Sequence, residues 1–148
     1  MDARLSYREA AVRGASPVRL VVLLYEQALV DLRQALAALE QGDVEARTRA
    51  INHAVLVIGQ LQSTLDMQRG GEVARNLERF YNLLRHNLVN AQFRQSAQEL
   101  RAQIAHLMTL REAWVAVERA TSPKENAAES SPVPPPGEGD GPSTQWNA

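Results

Sequence analysis

The chain has 148 residues, enough for one domain with a modest core, and carries 16 basic against 17 acidic side chains. It has no cysteine, which removes a disulfide framework and any thiolate zinc site and suits a reducing cytosol. The near-neutral charge argues against a nucleic-acid partner, the longest apolar run (Leu20 to Tyr25) is far too short for membrane insertion, and the charged start MDARLSYREA does not read as a secretory signal.

In chain order, a short helix is predicted near residues 3–13, closed by Gly14. Ser16-Pro17 then opens a long helix near 17–41, with serine capping and proline at the first helical position. Gly42-Asp43 stops that helix and caps the next, near 44–67. Gly70-Gly71 separates it from a helix near 72–93. Ser96 with Glu99 reads as a capping box for the last, near 97–119. Nothing alternates with period two long enough for a strand. Short connections between sequential helices make them antiparallel neighbours. The predicted fold is therefore all-α: an antiparallel up-down four-helix bundle with a short extra N-terminal helix.

The composition changes after residue 122. Six of the seven prolines and three of the eight glycines fall in the last 26 residues, which also hold four acids against one lysine. Such a segment cannot continue a helix and has little to bury, so residues 1–122 are expected to form the bundle domain and 123–148 a disordered tail.

Each long helix has an apolar stripe at i, i+3, i+4, i+7 spacing. The first supplies Val21, Leu24, Ala28, Leu32, Ala35 and Leu39. The second supplies Ile51, Ala54, Ile58, Leu61 and Leu65. The third supplies Val73, Leu77, Phe80, Leu84, Leu88 and Ala91, and the fourth Leu100, Ile104, Leu107 and Trp114. Several apolar residues lie off these stripes. At about 100° per residue, Leu23 and Val30 fall opposite Ala28, with Val22 beside them. Leu56 and Leu83 also leave their stripes. Scattered surface apolar residues, or cover by Leu5, Tyr7 and Val12 of the N-terminal helix, would account for them. The sharper reading is a groove for a partner's amphipathic segment.

Catalytic chemistry finds little footing. His53, His86 and His106 lie on three different helices without an i, i+4 partner, and no paired carboxylates enter a core stripe. No metal, no cofactor and no enzymatic activity are expected.

The stretch STLDMQRGGEVARNL (Ser63–Leu77) lacks the lysine and Ser/Thr of a phosphate-binding loop and reads as a tight turn. Gly70 is expected in the left-handed conformation, with Gly71 giving room for the reversal. Asp66 is expected to accept backbone N–H groups of the turn or to pair with Arg69, so that Asp66→Asn costs stability.

With ASPVRLVVLLYEQAL (Ala15–Leu29), FYNLLRHNLVNA (Phe80–Ala91) and LREAW (Leu110–Trp114), this stretch makes the chain resemble the FliS family, bacterial flagellar export chaperones, over about residues 5–118. The resemblance implies a cytosolic chaperone. It would bind the disordered C-terminal segment of flagellin, prevent premature polymerisation and present the client to the flagellar type III export gate. Tyr7 matches the tyrosine of the family's N-terminal segment, and Leu20, Leu23 and Tyr25 match the apolar run. With Val22, Val30 and Leu56, taken from helical geometry, and Leu5 of the N-terminal helix, these form the candidate partner-binding set. Asp66, Gly70, Gly71 and Asn76 are assigned to the structural turn. Tyr81, Asn90 and Trp114 are assigned to bundle packing. A general helical adaptor or scaffold that binds folded partners is the alternative, and the free protein is left open as monomer or homodimer.

Overall fold

The computed structural model describes residues 16–121. The expected N-terminal helix, with Leu5 and Tyr7, and the tail at 123–148 lie outside the described residues. Four helices follow in order: α1 (Pro17–Gln41), α2 (Val44–Ser63), α3 (Gly71–Arg94) and α4 (Ala97–Thr121). Among the described residues there is no strand. The chain divides into two compact units after Trp114. All packing described below belongs to the first. Of the second, the described residues 115–121 continue α4 as helix.

The helix ends follow local chemistry. Ser16 Oγ accepts the Arg19 N–H at 3.1 Å, with Pro17 at the first helical position. Gly42 takes φ +74°. Its N–H reaches the Leu39 carbonyl at 3.1 Å, and the Asp43 N–H reaches that of Ala38 at 2.9 Å. Together these bonds satisfy the last carbonyls of α1. Asp43 Oδ1 then accepts the Ala46 N–H and starts α2. Such a cap stabilises by about 1 kcal/mol.

The helix expected to reach residue 67 stops at Ser63. The Ser63 and Thr64 hydroxyls donate back to the Gln60 and Leu61 carbonyls, each at 2.7 Å. Asp66 opens a turn of its own. Its Oδ1 accepts the N–H groups of Gln68 and Arg69 at 3.1 and 3.0 Å, its Oδ2 lies 3.9 Å from Arg69 Nε, and its carbonyl accepts the Gly70 N–H at 2.7 Å. These local bonds compete with continued helix. The two glycines exchange their expected roles. Gly70 has φ −74°, whereas Gly71 has φ +54°. Gly70 is required by space: a Cβ there would stand 2.6 Å from Ala74 Cβ and 2.7 Å from the Asp66 carbonyl oxygen. Asn76 sits inside α3, where its side-chain oxygen accepts from Arg79.

The start of α4 uses half of the expected capping box. Ser96 Oγ accepts the Glu99 N–H at 3.0 Å. The Glu99 carboxylate turns instead to the Gln103 amide, and the Ser96 N–H bonds to the Ala91 carbonyl.

One core is shared by all four helices. Leu32, Ala35, Ile58, Leu61, Leu84, Leu88, Leu100 and Leu107 are all buried in it. Leu24, Leu39, Leu65, Leu77, Phe80, Ile104 and Trp114 pack partly buried against it. Val73 departs from its predicted stripe and is 67% exposed, while Ala74 is buried in the same turn. Tyr25 and Tyr81 are fully enclosed, with their hydroxyl oxygens 2.7 Å apart. This polar contact links α1 to α3 through the apolar interior, and Trp114 of α4 packs partly buried against the same core. Burial raises the pKa of both tyrosines, because ionisation would place an unsolvated charge in the core.

Surface pairings run in opposed numerical order. Along α1, Glu26, Arg33 and Glu40 meet Arg111, Met108 and Arg101 of α4. Along α2, Thr48 and Gln62 meet Gln92 and Asn82 of α3.

Candidate functional site

The candidate site is the side of α1 that carries Leu20, Leu23, Gln27 and Val30, together with neighbouring groups of α2 and α4. Spacings of three and four residues place these four side chains along one flank of the helix. Leu20 and Val30 are half-buried. Val22 and Leu23 are buried, yet neither belongs to the shared core cluster. Tyr25, expected at a partner surface, lies wholly inside that core, because its hydroxyl is held by Tyr81 and its ring by the bundle interior. Leu56 on α2 is 69% exposed and Leu83 on α3 57% exposed. Beside the half-buried Leu20 and Val30, tertiary structure separates the described members of the sequence-derived set into three. Tyr25 supports from within, Val22 and Leu23 are buried away from the core, and Leu56 faces solvent.

Between α1 and α4 an open cleft of about 270 Å³ is lined in part by Val30, Leu29, Arg33 and Met108. The Glu26–Arg111 ion pair, at 2.8 Å and only partly exposed, borders it. The Glu26 hydrogen bond holds the Arg111 guanidinium in its charged form, raising its pKa. Arg33 Nη2 lies 3.5 Å from Met108 Sδ.

The opposite border holds a buried polar cluster that the sequence did not reveal. Asp31 is 3% exposed and Gln27 4%. Gln27 Nε2 donates to Asp31 Oδ1 at 3.0 Å, and His53 Nδ1 of α2 lies 2.6 Å from Asp31 Oδ2. A carboxylate accepts only, so the Gln27 amide must turn its nitrogen toward Asp31. Its oxygen consequently points elsewhere, buried and without a hydrogen-bond partner. A buried acceptor left unmatched costs about 1–3 kcal/mol. Read alone, His53 lacks a partner; the pairing appears only when α1 and α2 come together. The available signal was an acid inside the apolar run LVDL, four residues after Gln27.

Among the described residues, no group of three or more His, Asp or Glu is placed to hold a metal ion, and no helix is long and apolar enough to cross a membrane. The fold and site define a small helical protein whose first two helices share a buried polar cluster beside an apolar core.

Residues 1–121 match the model of the family described as flagellar protein FliS, and the chain belongs to that family. Flagellar secretion chaperone FliS of Salmonella typhimurium is 37% identical over 123 residues, covering 82% of this chain and 88% of the relative. Flagellar secretion chaperone FliSB of Pseudomonas aeruginosa is 36% identical over 106 residues, covering 72% and 84%. The FliS of Bacillus subtilis is 27% identical over 109 residues, covering 74% and 80%.

Proposed function

We propose that this protein is a cytosolic, non-enzymatic export chaperone. It binds the disordered C-terminal segment of flagellin, prevents premature polymerisation and delivers the client to the flagellar type III export gate. The observation that carries the reading, beside family membership, is a complete apolar core that leaves further large apolar side chains in solvent, Leu56 and Leu83 among them. A client segment that folds as an amphipathic helix gains about 1.5–3 kcal/mol for each such side chain it fully buries, offset by the cost of ordering the segment.

The opposed order of the α1–α4 and α2–α3 pairings supports an up-down antiparallel bundle as the scaffold. In this reading residues 1–122 act as the chaperone domain. Tyr25 acts from behind, holding the Leu20–Val30 side of α1 in place.

Calorimetry with the cognate flagellin and a C-terminally truncated flagellin tests this. The full-length client should bind and the truncated one should not. Equal binding of both would remove the proposed function. Leu56→Ser, at a solvent-facing position, and Leu23→Asp should both weaken binding with helical circular dichroism retained. Loss of helicity in Leu23→Asp alone would instead make Leu23 a folding residue.

A further inference from the structure

We propose that Gln27, Asp31 and His53 form a polar selectivity site. It accepts an N–H donor side chain, an amide or a guanidinium, from the bound helical segment and so fixes that segment's register. The inference rests on the chaperone reading and names what the chaperone surface recognises.

Gln27 occupies the middle of the Leu20–Leu23–Gln27–Val30 stripe and, like Leu23, is buried in the free protein, so a partner helix lying along that stripe meets it once that cover is displaced. An apolar residue at position 27 would make the stripe uniform, and a partner could slide by one turn without losing contact. Instead the chain buries an amide there. Asp31 captures its nitrogen and leaves its oxygen unpaired. His53 holds the second carboxylate oxygen of Asp31, which ties the amide's orientation to α2. The side chain of His53 is the accessible edge of the cluster, 32% exposed against 4% for that of Asp31. The outcome is a fixed acceptor with no internal donor, beside a carboxylate. Its complement is an N–H group flanked by apolar residues three or four positions away. A partner without the donor leaves the oxygen unmatched, and discrimination of this kind is larger than that given by apolar contacts.

The experiment is a double-mutant cycle on the full chain, with a peptide of the flagellin C-terminal segment as the probe. Each Asn, Gln and Arg of the peptide is replaced in turn by Leu, and binding is measured to wild type and to Gln27→Met. One donor position should lose about tenfold or more in affinity for wild type. Gln27→Met should lose a similar factor for the parent peptide, keep its melting temperature or gain, and be indifferent to that one replacement. A pronounced fall in the coupling with salt identifies a guanidinium, and a flat response an amide. If Gln27→Met does not fold, Gln27→Asn, which withdraws the oxygen by one methylene, carries the same cycle.

Unchanged affinity in the position-27 variant, or losses that simply add, overturns the inference and leaves the chaperone reading intact. Absence of peptide binding to folded wild type removes both.

Discussion

Helix α1 buries polar atoms on two sides, and the two sides treat them differently. On the inner side, Tyr25 meets Tyr81, and its hydroxyl is satisfied within the bundle. On the outer side, within the same two turns, Gln27 and Asp31 are almost as deeply buried, yet Gln27 Oε1 has no partner. A satisfied buried network specifies one packing of the bundle. An unsatisfied one lowers the stability of the free protein and is retained where something outside the fold supplies the missing bond. The lesson is that burial alone does not separate a core residue from a recognition residue. The hydrogen-bond balance does.

The comparison can be broken most forcefully at Tyr81. Tyr81→Ala removes one end of the inner network and should cost about 3–5 kcal/mol in chemical denaturation, as large-to-small core changes do. An effect below about 1 kcal/mol would mean that the inner side is no more demanding than the outer.

Gly70→Ala serves as a control in the turn between α2 and α3. Overpacking against Ala74 and the Asp66 carbonyl should cost about 1–3 kcal/mol, with client affinity per folded molecule unchanged. A matching loss of affinity would tie the turn to the client surface.

Tyr25→Phe should cost about 1–2 kcal/mol by leaving buried partners unmatched, and Tyr25→Phe with Tyr81→Phe should cost less than the two single changes together. Full additivity would show the hydroxyls to be independent.

The sign of the pH response follows from the raised tyrosine pKa values. Folding favours the protonated phenols, so their contribution is intact below the ordinary value of 10.0 and is lost as pH rises above it. Wild type should therefore lose stability above pH 10 more steeply than the double phenylalanine variant; parallel profiles would contradict this. The smallest effect belongs to Asp66→Asn, which keeps an acceptor oxygen for the Gln68 and Arg69 N–H groups. It should cost less than about 1 kcal/mol, and less than Asp66→Ala.

Much of the scaffold was legible in the sequence because its signals are local. Ser16-Pro17, Gly42-Asp43 and Ser96 cap helices through bonds spanning no more than five residues, and three of the four helices begin and end within a few residues of the predicted positions. The candidate site was less legible. Val22 and Leu23 lie off the core stripe by helical periodicity, yet both are buried. Their burial, like that of Tyr25, depends on what else reaches α1, and helical periodicity does not report this. The Gln27–Asp31–His53 cluster was missed because its members lie on two helices and each looks solvated when read alone.

The sequence by itself determined the helical class, the order of the helices, most of their ends and the apolar stripes that build the core. Each of these depends on caps, glycines and periodicity within one or two turns. Tertiary structure alone decided that Val73 faces solvent, that Tyr25 meets Tyr81 inside the core, and that His53 of α2 holds Asp31 beside a buried, unpaired amide oxygen. Those outcomes are set by the close approach of atoms distant in sequence, which decides where space and hydrogen-bond partners run out.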